Sequence, residues 1–276
     1  MTLQEILTEG ERRLASAGVP ETKLNAWYLF AHCFAMTKSQ FFLRSSEEAE
    51  EKACELYRVL LEKRGRRIPL EYLTGATEFM GLPFMVNENV LIPRQDTECL
   101  VEEALKFCEG AEVLDLCTGS GCIGISLAKL GNCKAVTLSD VSRDALEIAK
   151  KNAEKNGVSV QILESDLFQS IQGAFDLIVS NPPYIPSGDI PELMPEVCEH
   201  EPLCALDGSE DGLLFYRNII REVGPLLRSD GRLFFEIGAQ QGEAVSRLMK
   251  QAGFTNVEVK KDLAGLDRIV CGQYSK

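Results

Sequence analysis

Glu112-Val113-Leu114-Asp115-Leu116-Cys117-Thr118-Gly119-Ser120-Gly121-Cys122-Ile123-Gly124 reads as a buried strand, a glycine turn and the start of a helix. Glycine at such a turn lets the backbone take positive φ without steric cost and come close to a ligand. Gly119, Gly121 and Gly124 satisfy the dinucleotide spacing, and Asp140 follows about 20 residues on, at the end of the next strand, placed to accept ribose hydroxyls. A nicotinamide dinucleotide therefore has to be weighed, although this fingerprint alone is weak.

Outward from this turn, strands and helices alternate. The apolar pattern predicts a helix over 98–108 capped by Asp96 or Thr97, then strand 113–117, helix 123–130, strand 135–139, helix 144–156, and strands 160–163 and 175–180. A long Pro-rich loop precedes helix 213–227, strand 233–237, helix 242–252 and closing strands near 257–259 and 268–271. Such alternation predicts an α/β, doubly wound, mostly parallel sheet with an antiparallel edge. Two details favour S-adenosylmethionine over a dinucleotide. Asp115 lies inside the first strand, as in class I methyltransferases. Ser165-Asp166-Leu167-Phe168 follows the third strand, where an acid can accept from an adenine amino group beside an apolar wall. Alone, Asp115 reads equally well as a buried carboxylate bonded to loop amides, and Phe168 as core. The ordered set of Asp115, the glycines, Asp140 and Asp166 is harder to assign to packing.

The fourth strand ends in Ile178-Val179-Ser180-Asn181-Pro182-Pro183-Tyr184-Ile185. Neither proline can donate to a sheet ladder, so the strand stops abruptly and leaves an amide side chain at its carboxyl end, where open α/β sheets place ligands. An arbitrary Asn-Pro is more often a plain turn; the glycine turn upstream changes that reading. Methyl transfer from a sulfonium needs an in-line nucleophile held out of water. An amide or aromatic amine is a poor nucleophile because its lone pair is delocalised. A site that accepts both N–H bonds, through the Asn181 side-chain oxygen and the Pro182 carbonyl, orients that nitrogen toward the methyl carbon. Pro183 stiffens the exit, and Tyr184 is expected to offer a flat wall to a planar group.

The N-terminal part differs in character. Thr2 and Glu5 have capping-box spacing before a helix with Leu3, Ile6, Leu7 and Leu14 at helical spacing, ended by Gly18 and Pro20. A second helix is predicted over 21–35 with Leu24, Trp27, Tyr28 and Ala31 on one face, which puts the single tryptophan in the core. Ser45 and Glu48 repeat the capping spacing before a third long helix carrying Ala53, Leu56, Tyr57, Leu60 and Leu61. Between Gly75 and Pro93 the period becomes that of strands, with Gly81 at a turn and Val90-Leu91-Ile92 as a further strand. The expected organisation is a helical domain over 1–75, a β-hairpin linker over 76–92 and a cofactor-binding domain over 93–276.

The net charge of the 276-residue chain is −13. Residues 1–75 hold 11 basic and 11 acidic side chains, so the whole excess falls in the larger part, whose field repels phosphate backbones. That disfavours direct nucleic-acid binding and favours a protein or small-molecule partner. The ten cysteines form no Cys-x-x-Cys pair and sit mostly in apolar runs; with two histidines in the chain, free thiols in a reducing compartment are expected rather than a metal site. No apolar run approaches the length of a membrane span, and residues 2–13 are charged and amphipathic, so a soluble cytoplasmic protein is expected.

Together these segments resemble the release-factor glutamine methyltransferases, the HemK-type protein-(glutamine-N5) methyltransferases. The resemblance spans the helical N-terminal part, Val86-Asn87-Glu88-Asn89-Val90-Leu91-Ile92-Pro93-Arg94 leading to Asp96-Thr97-Glu98, the Asp115 to Gly121 motif, Asn181 to Tyr184, His200-Glu201-Pro202, Ala205-Leu206-Asp207-Gly208 and Asp211-Gly212-Leu213. The first and last of these segments discriminate more than the Asn-Pro-Pro-Tyr turn, which amino-methylating DNA and RNA enzymes share. The resemblance implies S-adenosylmethionine as cofactor and, as substrate, the glutamine of the Gly-Gly-Gln loop in peptide chain release factors. It implies that Cys117, Thr118, Gly119, Ser120, Gly121, Asp140, Leu167 and Asn181 line the cofactor. Asn181, Pro182, Pro183 and Tyr184 would grip the glutamine amide, and the chain would act as a monomer docking its substrate on the helical domain. The family usually has glycine where Cys117 stands, proline where Gln95 stands and often a larger aromatic at Leu167. His200 is read as a loop brace in preference to a general base, and Glu201 to Leu213 either orders the active-site rim or is a capped loop before the next helix, the structural reading being preferred for both. The competing readings are an exocyclic-amino methyltransferase acting on adenine or guanine in DNA or RNA, which needs a basic groove and base flipping, and a cofactor-binding regulator without catalysis.

Overall fold

The computed structural model describes residues 1–274. The chain forms two compact units: Met1–Gly75 together with Met194–His200, and Ala76–Leu193 together with the chain from Glu201 onward. The division differs from the sequence expectation at one segment, 194–200, which clusters with the helices.

In the helical unit, α1 (Leu3–Ser16) opens with the expected capping box, the Thr2 hydroxyl accepting from the Glu5 amide and the Glu5 carboxylate accepting from the Thr2 amide. It is followed by α2 (Thr22–Phe34), α3 (Lys38–Arg44), α4 (Glu51–Gly65) and α5 (Leu70–Thr74). Two expectations are corrected here. Ser45 opens no helix but stands at the C-cap of a separate short one, α3, which is opened by a capping box of Thr37 and Gln40, and α4 begins at Glu51 without a side-chain cap. In α2 the buried face is Asn25, Ala26, Leu29 and Phe30, while Leu24 and Tyr28 are exposed. Trp27 does pack on the core, against Phe30 and Phe41. Buried polar side chains need partners, and Asn25 finds one in Arg64, whose Nε donates to Asn25 Oδ1 at 2.7 Å.

The larger unit starts with the hairpin β1 (Ala76–Phe79) and β2 (Leu82–Met85), then α6 (Gln95–Leu105), β3 (Glu112–Leu116), α7 (Cys122–Leu130), β4 (Ala135–Asp140), α8 (Arg143–Asn156), β5 (Gln161–Glu164) and β6 (Phe175–Ser180). The short helix α9 (Pro195–Cys198) lies in the segment that joins the helical unit. There follow α10 (Leu214–Glu222), β7 (Leu227–Glu236), α11 (Gly242–Gln251), β8 (Phe254–Lys261) and β9 (Asp267–Tyr274). The predicted strand 90–92 is irregular chain, and α6 starts at Gln95 with Thr97 buried in its first turn.

The sheet runs β5-β4-β3-β6-β7-β9-β8, parallel through β7 and antiparallel at β9 and β8, as the alternation predicts. Strand side chains alternate between faces. Val113, Leu177 and Val179 pack with α6, α7 and α8, whereas Leu114, Leu116, Ile178 and Phe235 pack with α10 and α11. The hairpin belongs to the first of these cores through Phe79 and Phe84. All ten cysteines are free, and Cys204 is exposed.

Candidate active site

Register places the site. Leu116 pairs with Ser139 on one side and Ser180 on the other, so β3, β4 and β6 end at one level and deliver Cys117, Asp140 and Asn181 to the same sheet edge. Ser180, fully buried, ties two of these tips together by donating from Oγ to the Leu116 carbonyl at 2.7 Å.

A cavity of 640 Å³ opens at that edge, a size that suits a small-molecule cofactor with part of a substrate. Of the residues expected at the site, Cys117, Thr118, Gly119, Ser120, Asp140, Asp166, Leu167, Asn181 and Pro183 line it. Asp115, Gly121, Pro182 and Tyr184 do not.

Asp115 sits behind the glycine turn and shapes it. Its Oδ2 accepts from the Thr118 hydroxyl at 2.5 Å and the Gly124 amide at 2.8 Å, while Oδ1 is buried without a partner. Burial pushes its carboxyl up to about 7, against the downward pull of those two donors. Gly124 is obligatory for the same packing, since a Cβ there would stand 2.2 Å from Leu138 and 2.9 Å from Asp115. Gly119, at φ +54°, is different: the space over its Cα is open. Cys117 takes φ +60° although it is not glycine.

Asp140 closes the turn from β4. Its Oδ2 accepts from the Gly119 amide at 2.8 Å and its Oδ1 from the Ser142 amide at 2.9 Å. With the Val141 amide also directed at the carboxylate, acceptor capacity remains for one further donor. Burial raises its carboxyl pKa, and the Ser142 and Gly119 amides oppose that rise. Asp166 is held by Gln169, whose Nε2 donates to Oδ2 at 2.8 Å, and Leu167 supplies the apolar wall beside it.

Asn181 lines the cavity half-buried, and its side-chain amide makes no hydrogen bond among the described residues. Tyr184 departs from the expected flat wall. Its ring packs on the α10–α11 core, and its hydroxyl donates to Glu236 Oε1 at 3.3 Å. Burial raises the phenol's pKa, and likewise that of Glu236, which Thr97, Arg268 and Tyr184 draw back down.

Two further stretches complete the cavity, the second within the Glu201 to Leu213 segment for which a place at the active-site rim is one of the two sequence readings. One is Asn89 to Arg94 with Thr97; the other is Pro202 to Asp207. Their signal was weak because the first reads as a strand, Val90-Leu91-Ile92, and the second carries no hydrophobic period. The 201–213 stretch thus does more than brace a loop. Arg94 Nη2 meets Glu201 Oε2 at 2.5 Å, with the glutamate side chain 1% exposed, which joins the two stretches. His200 does brace, in the helical unit, its Nε2 3.3 Å from the Arg66 carbonyl oxygen.

The open space over Gly119, the spare acceptor capacity of Asp140 and the apolar wall at Leu167 fit a nucleoside carrying a short polar chain. Among the described residues, no group of His, Cys, Asp or Glu is arranged to hold a metal ion.

Comparison with known proteins agrees with this geometry. Residues 5–75 match the PrmC N-terminal domain, and residues 95–194 match the Methyltransferase small domain. The chain is 39% identical over 274 residues to the release factor glutamine methyltransferase of Geobacter sulfurreducens, covering 99% of this chain and 96% of that one. It is 41% identical to that of Moorella thermoacetica, covering 97% of each. Among solved structures, a methyltransferase from Pyrococcus furiosus is similar in fold, with a TM-score of 0.58 and 18% identity over 78% of this chain and 99% of that one. The Thermus thermophilus 16S rRNA N2 G1207 methyltransferase is similar with a TM-score of 0.52 and 17% identity, over 72% of this chain and 49% of that one. Near-full-length identity of this order, together with a glycine turn, an aspartate and an uncommitted asparagine at one sheet edge, establishes that the chain belongs to the release factor glutamine methyltransferase family.

Proposed function

We propose that the chain methylates the side-chain amide nitrogen, N5, of the glutamine in the Gly-Gly-Gln loop of peptide chain release factors. The observation that supports this most directly is Asn181, a side-chain amide held at the cavity edge with its hydrogen-bonding capacity unspent. S-adenosylmethionine, when bound, supplies an electrophilic methyl group on a good, neutral leaving group. Asp140 would accept hydrogen bonds from the ribose hydroxyls, Asp166 and Leu167 would hold the adenine, and the Cys117 to Gly121 turn would hold the methionine part.

Asn181 Oδ1 and the Pro182 carbonyl accept the two amide N–H bonds of the incoming glutamine. This orients its lone pair toward the methyl carbon and offsets part of the lost amide delocalisation. The surplus proton leaves the methylated nitrogen for water. Tyr184 buttresses the turn from behind instead of facing the substrate. The helical unit serves as the docking surface and the chain works as a monomer.

The test is methyl transfer from labelled cofactor to a release factor, to its Gln→Ala loop variant, and to DNA and tRNA. Label should appear on the intact release factor alone. Label on nucleic acid but not on protein would overturn the reading in favour of base methylation. Asn181→Ala should lower kcat at least about a hundredfold with the fold intact, and full activity in that variant would remove the clamp from the mechanism.

A further inference from the structure

The turn that presents Asn181 is four residues long, and two of them are prolines with φ fixed near −65°. Such a turn has little slack, so its two ends decide where Asn181 and the Pro182 carbonyl point. The entry end is anchored by Ser180 on the Leu116 carbonyl.

The exit end is held by a residue far along the chain. Gln241, at the N-cap of α11, donates from Nε2 to the Tyr184 carbonyl at 2.9 Å and to the Gly212 carbonyl at 3.2 Å. Its Oε1 accepts from the Gly238 amide at 2.9 Å, while the Tyr216 hydroxyl, 3.5 Å from Oε1, gives its proton to the Glu236 carbonyl at 2.8 Å. Both N–H donors of the glutamine amide are thus spent on carbonyls, and its oxygen is held by the Gly238 amide. Around it the 206–212 loop is pressed onto the turn. The Ile185 amide donates to Leu206 at 3.0 Å, and the Gly208 amide to Ile185 at 2.8 Å. A Cβ at Gly212 would lie 2.3 Å from the Tyr184 oxygen, and one at Gly208 would lie 2.8 Å from its Cα.

We infer that Gln241 is the positioning residue of the acceptor turn: by holding the Tyr184 carbonyl it fixes, through two locked prolines, the aim of Asn181 and Pro182 at the substrate amide. The inference rests on the reaction proposed above. Gln241 does not line the cavity, and among the described residues it has no hydrogen bond to the glycine turn, so its loss leaves cofactor binding alone. It acts on the methyl-transfer step.

The experiment compares parent, Gln241→Met and Gln241→Glu as full-length proteins. Met keeps the length without a polar atom. Glu keeps the acceptor for Gly238 but turns a carboxylate on two carbonyls. Cofactor affinity by calorimetry should stay within about twofold, while kcat on the release factor falls at least about tenfold in protein that is folded at the assay temperature. Gly212→Ala pushes the same carbonyl from the other side and carries the same expectation, so a Gln241 variant that fails to fold does not shelter the inference. Unchanged kcat in folded variants overturns it, and so does a loss of kcat that merely tracks lost cofactor affinity. A parent enzyme that leaves the release factor unlabelled overturns the assigned reaction and this role with it.

Discussion

Asp115 is buried to 0% exposure with one oxygen doubly bonded to donors and the other facing none. Its carboxyl therefore holds its proton to about 7, where the unfolded chain releases it near the ordinary 3.8. Below that ordinary value both states are protonated. Between it and about 7 the unfolded state binds fewer protons, so raising the pH removes stability, and above about 7 the loss is complete. Asp115→Asn abolishes this titration. Parent stability minus variant stability, read from urea unfolding, should be larger at about pH 5 than at about pH 8, by on the order of a few kcal/mol. A difference that stays constant with pH would mean that the group titrates normally. Asp115 was legible as a loop carboxylate because it stands on a strand next to glycines. The reading of it as a buried carboxylate bonded to loop amides is the one the structure bears out; that one of its donors is Gly124, nine positions later, was not legible. Cys117 is similar: its identity could be read, its φ of +60° could not. Tyr184 was misplaced because its partner, Glu236, lies 52 residues away on a strand tip that looked like plain core.

At the scale of elements, apolar periodicity made the sheet readable. Each strand is a short apolar run and each crossover helix has its own stripe, so the parallel sense and the antiparallel edge follow from local pattern, while the order β5-β4-β3-β6-β7-β9-β8 does not. The hairpin was readable as a hairpin but not for how it is fastened. Asn152 on α8 fastens it: Oδ1 accepts from the Met85 amide at 2.6 Å, and Nδ2 donates to the Met85 carbonyl at 3.0 Å and to the Ser120 carbonyl at 2.9 Å. One fully buried amide thus ties the hairpin to the glycine turn. Asn152→Leu keeps the volume and strands three backbone groups, which should cost about 2–5 kcal/mol of stability. Because Ser120 lines the cavity, cofactor affinity should fall as well, and calorimetric titration with S-adenosylmethionine checks it. Loss of stability with unchanged affinity would confine Asn152 to the hairpin. The α2 face was misread for a related reason. Asn25 looks like a solvent residue until Arg64, 39 positions on, is seen to hold it, and the stripe then rotates away from Leu24 and Tyr28.

The molecule as a whole is organised by one departure from linear order: the chain of the larger unit leaves at Leu193 and returns at Glu201, and the segment between belongs to the helices. Glu196 on α9 holds that segment. It accepts from Arg64 Nη2 at 2.8 Å and, in a bidentate pair, from Arg67 Nε at 2.7 Å and Nη2 at 2.6 Å. Against the upward push of burial, the Arg67 and Arg64 hydrogen bonds bring its carboxyl down to about 2. A depressed carboxyl contributes stability above the ordinary 4.5 and loses it as pH falls through about 2, so the helical unit should carry an acid-labile restraint. Removing the carboxylate is worse than protonating it, because the Arg64 side chain is 5% exposed and would be left buried and unpaired. Glu196→Ala should therefore cost the helical unit about 3–5 kcal/mol. Trp27, the single tryptophan, lies in that unit and makes its emission a reporter of it alone. The urea midpoint seen by Trp27 should fall sharply in the variant, while cofactor affinity should stay at the parental value in the absence of urea, because the residues lining the candidate cavity all lie in the other unit. A Trp27 midpoint unmoved by the substitution would show that the segment is held without its carboxylate, by apolar contacts alone.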